Sequence, residues 1–383
     1  MVVATVVFTL IYGAYCSYLL SVYLVRRGKL RGICSTRIPN HFGAATGLGI
    51  IFLAWSGLSL LWTPAPASAV AYYLSYIVQI LISYMLCKLY SIRDVFRNVF
   101  KGTAYAAAIS TLLAIVLTGY SGGRLGQELA VFSAIATSAC LGILAVLYLR
   151  LIRDIRKSIA LLFVLSMLLA LYLTFGKTEI IALAVAGVVY VLYSSGSWRR
   201  RSILISRMLL GMALALIVLF PKIAEYQSGG GGAAPETLTG RTVLWALTYK
   251  QIASGPFIRG FGLLAFRLIG PSPFPGIDRV EQAHNEFLQV WFNFGLVGVV
   301  LVFGSYFALA YASVRALKQR GGIAGIIALC AVVWCLVKGI TEGIPAFCIL
   351  PIPSLLLFDC LVSTERAGEG KDFARTGSSA GAP

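Results

Sequence analysis

Two histidines, His41 and His284, are the only side chains in this sequence whose ordinary pKa, about 6.5, lets them take up and return a proton near neutral pH. His41 follows the cations Arg26, Arg27, Lys29, Arg31 and Arg37 and reads as a solvated loop residue. His284 lies in QAHNEFLQVWFNFGLVG, directly ahead of an apolar run. That places it at a water–lipid boundary, as a candidate general base. Three cations fall on the same side of the chain: Arg241 in TLTGRTVLWALTYKQIASGP, Arg124 in GYSGGRLGQELA and Lys177 in LTFGKTEIIA. Singly, each reads as a side chain reaching for lipid headgroups. Together they read as a site for an anion, with Arg241 in the first turn of a helix, whose unpaired N–H groups also favour negative charge.

Several neighbouring patterns carry less. Gly176-Lys177-Thr178 invites a phosphate-loop reading, but position 171 is Leu where the motif needs glycine. Lys338 and Glu342, spaced i and i+4, read as a structural ion pair. Glu179, Glu281 and Glu286 are nearby acids whose roles the pattern does not separate. The outer loop has no D-x-D or carboxylate cluster, so neither a metal nor a cofactor is expected. The eight cysteines contain no C-x-x-C pair and fall mostly in apolar runs, which implies neither a disulfide framework nor a zinc site.

The elements that must position these groups are membrane helices. The chain is 59% hydrophobic and 12% charged, against about 45 to 50% apolar and about 25% charged in soluble domains. A spanning helix needs roughly 20 apolar residues. Apolar runs lie near 3–25, 43–61, 68–90, 99–119, 129–149, 158–175, 179–195, 203–220, 286–312, 322–340 and 346–362, which predicts an all-α polytopic bundle of about 11 helices. The first run is too long for a secretory leader and has no basic stretch before it, so it is expected to be a retained span.

A net charge of +18 on a soluble protein would suggest nucleic acid. Here 22 of the 32 basic residues fall at every second helix end, the positive-inside pattern of a membrane protein. Nucleic acid is therefore not an expected partner; the lipid bilayer is. The amino terminus and the long loop are expected outside, and the carboxyl tail inside. The chain divides into 1–220, eight helices; 221–284, an extracytoplasmic loop; 285–362, three helices; and 363–383, a polar tail expected to be disordered. Within the loop QSGGGGAA reads as a linker. The segment after it reads as an amphipathic surface helix, capped at Thr239, with Val243, Leu244, Leu247 and Ile252 apolar and a stop at Gly255-Pro256.

The run GRTVLWALTYKQIASGPFIRGFG, followed some twenty residues later by AHNEFLQVWFNFGLVG, resembles the O-antigen ligase and O-antigen or exopolysaccharide polymerase superfamily of bacterial membrane glycosyltransferases. That family shows G-R near a tryptophan, a Pro–Gly-x-G segment, and H-N opening a helix with G-x-x-G. LSLLWTPAP, Arg124 with Gly126, and Lys177-Thr178 are similar to earlier family features, and the specific motifs occupy roughly 239–299. Two positions depart from it. Lys177 stands where Arg is usual, keeping the charge but losing the bidentate fork, and Asn293 stands where many members have an acid, so no role is assigned to it.

The resemblance implies a fold related to the polyprenol-dependent, membrane-embedded glycosyltransferases of the bacterial inner membrane, acting on glycans linked to undecaprenyl diphosphate. The expected reaction is metal-independent, inverting transfer of that glycan to an acceptor sugar hydroxyl, with His284 as base and Arg241, Arg124 and Lys177 holding the diphosphate. A polysaccharide polymerase, for which a chain-length regulator would be an associate, is favoured by the modest outer loop. A ligase to lipid A core is the alternative. A flippase or transporter is the rival from another class, and should show internal repeats, broken helices or midplane charges.

Overall fold

The computed structural model describes residues 43–89, 92–118, 132–174, 177–194, 241–271, 282–320, 322–341 and 358–363. Every element among them is helical, as the apolar runs require. We number them α1 (Ala44–Leu58), α2 (Pro66–Leu89), α3 (Ile92–Thr118), α4 (Phe132–Leu151), α5 (Lys157–Thr174), α6 (Lys177–Ser194), α7 (Arg241–Ser254), α8 (Ala265–Ile269), α9 (Glu286–Arg320) and α10 (Ile323–Thr341). Four stretches are long and apolar enough to cross a bilayer: Ala44–Leu61, Lys157–Thr174, Glu286–Leu317 and Ile323–Ile340. Pro66–Leu81, Ile135–Leu151 and Thr178–Tyr193 are shorter apolar helices. Eight of the eleven expected spans thus fall on described helices; 3–25, 203–220 and most of 346–362 lie outside the described residues, as do the linker and most of the tail.

Inside lipid the backbone must satisfy its own hydrogen bonds, which makes helices obligatory, and helices pair where small residues let backbones approach. Gly142 on α4 shows this. A Cβ there would lie 2.6 Å from the Ala107 Cβ of α3 and 2.7 Å from the Met167 sulfur of α5. Ala139, Ala145, Ala182 and Ala186 are likewise fully buried, whereas Leu161, Leu162, Leu165, Leu168 and Leu169 of α5 are exposed and face the lipid.

Polar contacts gather at two opposite ends of the bundle. At one, Arg97 and Lys101 of α3 pair with Asp154, which follows α4, and Asp359 caps α1 by accepting from the Thr46 amide at 3.1 Å and hydroxyl at 2.6 Å. This is the end that the charge pattern leads one to expect on the cytoplasmic side. At the other, the residues that follow α1 meet the loop before α8: the Thr63 hydroxyl donates to the Leu263 carbonyl at 2.6 Å, and the Leu263 amide donates to Ser59 Oγ at 3.2 Å.

Helix α9 is interrupted at Gly295, whose φ is +67°. The break is filled by the segment 257–262. Phe261 and Gly262 donate amides to the carbonyls of Phe292 and Asn293, at 2.8 and 2.7 Å. Leu296 and Val297 donate in turn to Phe257 and Ile258, at 3.0 and 3.3 Å. Trp55 Nε1 donates to the remaining carbonyl, Phe294, at 2.9 Å. A Cβ on Gly295 would fall onto the Ile258 carbonyl, and one on Gly260 onto the backbone of Asn293 and Gly295, so both positions require glycine for space as well as for their positive φ. The Pro–Gly-x-G and G-x-x-G signatures are two halves of this one joint.

Candidate functional site

Helix α7 begins at Arg241 and ends at Ser254, where Gly255-Pro256 was expected to stop it; its Thr239 cap lies outside the described residues. Its buried stripe is Leu244, Thr248 and Ile252, spaced i, i+4 and i+8, while Val243, expected on the apolar face, is 47% exposed. The stripe packs on Phe266, Ala283 and Phe292 in a small core of its own. Trp245, one turn after Arg241 and on the same face, donates its indole N–H to the Ala283 carbonyl at 2.9 Å. That bond sets the start of α7 beside His284, and explains why the arginine comes with a tryptophan.

His284 is held from both sides. The Ala283 amide donates to Gln289 Oε1 at 2.7 Å. Asn285 caps α9 by accepting from the Leu288 amide at 3.0 Å, and its own amide donates to the Ile340 carbonyl at the end of α10, at 2.8 Å. Between these anchors His284 takes a left-handed backbone, φ +50°, which a non-glycine residue keeps only where its surroundings impose it. Burial, and then the Arg241 charge, lower its pKa to about 4, so the imidazole is neutral at working pH. Gln282 lies 3.5 Å from Nδ1. The carboxamide nitrogen is the atom turned to the ring, so Nδ1 accepts from it in the tautomer that carries its proton on Nε2.

The described structure therefore brings His284 and Arg241 together, across some forty residues of sequence. Lys177 is the first residue of α6, and Arg124 lies outside the described residues. Lys338 is fully buried and its ammonium lies 3.2 Å from Glu179 of α6, with Thr137 of α4 as a further acceptor and the Trp334 ring 5.4 Å away. Glu342 and Glu281 lie outside the described residues. Glu286, in the first turn of α9, is buried against Gly339 of α10. No group of three metal-ligating side chains occurs among the described residues.

Sequence reasoning missed Asn293. It is wholly buried and its Oδ1 accepts from the Phe266 amide at 3.0 Å, so it ties α8 to the broken helix. Its position at a G-x-x-G break, two residues before Gly295, was the available signal.

A bundle of apolar helices, with a loop docked into a broken helix, defines a polytopic helical membrane protein. Residues 161–303 match the family described as O-antigen ligase, the superfamily to which the motifs over 239–299 point. The matched segment takes in Lys177, Arg241 and His284. No curated protein matches the chain.

Proposed function

We propose that this protein transfers a glycan from undecaprenyl diphosphate to an acceptor sugar hydroxyl at the outer face of the bacterial inner membrane, and that it acts as a polysaccharide polymerase. The observation that carries the reading is the juxtaposition of Arg241 with a neutral, half-buried His284. His284 takes the acceptor's O–H proton. The acceptor oxygen forms its bond to the anomeric carbon as the bond from that carbon to the diphosphate breaks, and undecaprenyl diphosphate leaves. Direct displacement inverts the anomeric centre.

Arg241, with Arg124 and Lys177, takes the charge that develops on the leaving group, so no metal is needed for it. The arrangement also couples donor to base. The guanidinium by itself disfavours a proton on His284; a bound diphosphate would offset that charge and make the imidazole more basic when there is a substrate to act on.

The transporter reading predicted broken helices and buried charges, and the described residues include a break at Gly295 and buried charged side chains at Lys338, Glu179, Glu286 and Asp359. A transporter's break exposes backbone groups to its cargo. Here the chain's own segment 257–262 occupies them, which favours the scaffold of an enzyme. Extraction of lipid-linked glycans from a deletion strain tests the function. The polymerase reading expects single repeat units to accumulate on the lipid carrier at the outer face. Accumulated full-length polymer points to a ligase, and glycans trapped at the inner face point to a transporter.

A further inference from the structure

The costliest feature in the described bundle has no place yet in the mechanism. Lys338 and Glu179 are both buried, at 0% and 3% side-chain exposure, in helices that otherwise pack alanine, cysteine, valine and tryptophan. Taking two charges out of water costs more than their attraction returns in many proteins, and apolar residues of similar volume hold helices together equally well. Packing alone does not call for this pair.

Its position suggests what does. Glu179 sits in the first turn of α6, two residues after Lys177. Lys338 sits in the last turn of α10, and two residues later the Ile340 carbonyl receives the side chain of Asn285, the neighbour of His284. The last turn of α10 is thus bonded on one side to the element that begins with a diphosphate-holding residue and on the other to the candidate base. Thr137 ties the same ammonium to α4. The hydrogen-bonded and charged contacts have directional geometry that alkyl packing lacks, so they fix the rotation and height of α6 against α9.

We infer that Lys338 and Glu179 are positioning residues, with the last turn of α10 acting as a strut that sets the distance between Lys177 and His284. The inference rests on the reaction proposed above. The strut touches no substrate; it acts by spacing the start of α6 from His284. A shift of about 1 Å between a leaving-group cation and a base can cost about 10²-fold in turnover, and the strut is the described connection between the two.

The test uses the full-length purified protein with a lipid-linked donor. The doubly apolar variant Lys338→Met/Glu179→Met removes both charges of the pair at once, and its melting temperature beside the parent's selects the folded protein for assay. Its kcat/KM for the donor should fall about 10²-fold with the KM for the acceptor unchanged. Asn285→Ser tests the other leg: serine still caps α9 but is too short to reach Ile340, and the same donor-side loss is expected. Parent-level turnover in either folded variant overturns the inference. His284→Ala, assayed beside them, separates it from the reaction itself. An inactive His284→Ala with a fully active double variant sinks only the strut, whereas an active His284→Ala sinks the proposed chemistry.

Discussion

The protonation of His284 is the most quantitative consequence of the site. With its pKa lowered from 6.5 to about 4, the bias toward neutral imidazole is on the order of 3 kcal/mol at about 1.4 kcal/mol per unit. Burial supplies the larger share and Arg241 the smaller. The chain has two histidines, so His41→Gln leaves a single imidazole whose ring resonances can be followed by NMR in detergent micelles or nanodiscs. We expect a midpoint near 4 in that background, a higher midpoint when Arg241→Gln is added, and a higher one again when inorganic pyrophosphate is supplied with Arg241 intact. The same shift links to stability. Because the folded pKa lies below the unfolded one, the unfolded chain binds more protons between about pH 6.5 and 4, and stability falls as pH drops through that window. A midpoint near 6.5 that ignores Arg241→Gln would refute the placement of the guanidinium beside the ring, and with it the coupling of donor to base.

Other consequences are as direct. Gly295→Ala puts a Cβ onto the Ile258 carbonyl at a left-handed φ, and should cost more than the 1 to 2 kcal/mol or so of the backbone conformation alone; an unchanged melting temperature in detergent would contradict the joint. Arg241→Lys should impair transfer more than Lys222→Ala, since a fork matches phosphate oxygens and Lys222 belongs to no motif; equal losses at equal protein level would remove Arg241 from the site. Reporter fusions should place residues 221–282 outside and the tail inside, and a cytoplasmic loop would overturn the assignment of the two bundle ends.

Much of the fold was legible in the sequence because lipid leaves the chain few choices. An apolar run of some 20 residues can only be a helix there, and eight runs became helices with ends within a few residues of their apolar limits. The exceptions have a common cause. α3 starts at Ile92 and α9 ends at Arg320, beyond the apolar runs, because a helix leaving the bilayer keeps its own hydrogen bonds and carries its charged turns into water. His284 and Arg241 were legible as candidates through residue type and boundary position, and their proximity follows from Trp245.

Less legible were contacts between residues far apart in the chain. For Lys338 a periodic pattern offers only a local acid, Glu342, which lies outside the described residues. The structure pairs Lys338 with Glu179, because α10 and α6 run antiparallel with their ends level, information that no window of sequence holds. The same holds for the joint at Gly295. Glycine in an apolar run reads as a close approach or a kink, but that the approaching backbone is segment 257–262 emerges only when Phe261, Gly262, Leu296 and Val297 are seen to exchange hydrogen bonds across it.

The central claim is that His284 removes the acceptor's proton, and the transfer assay on purified His284→Gln tests it most directly. Glutamine approximates the shape and hydrogen bonding of the ring but cannot take a proton near neutral pH. The account predicts a loss of about 10² to 10⁴ in turnover per folded molecule for both His284→Gln and His284→Ala, with donor binding retained. Near-parental turnover in His284→Gln would show that the residue only anchors the start of α9, and would contradict the account.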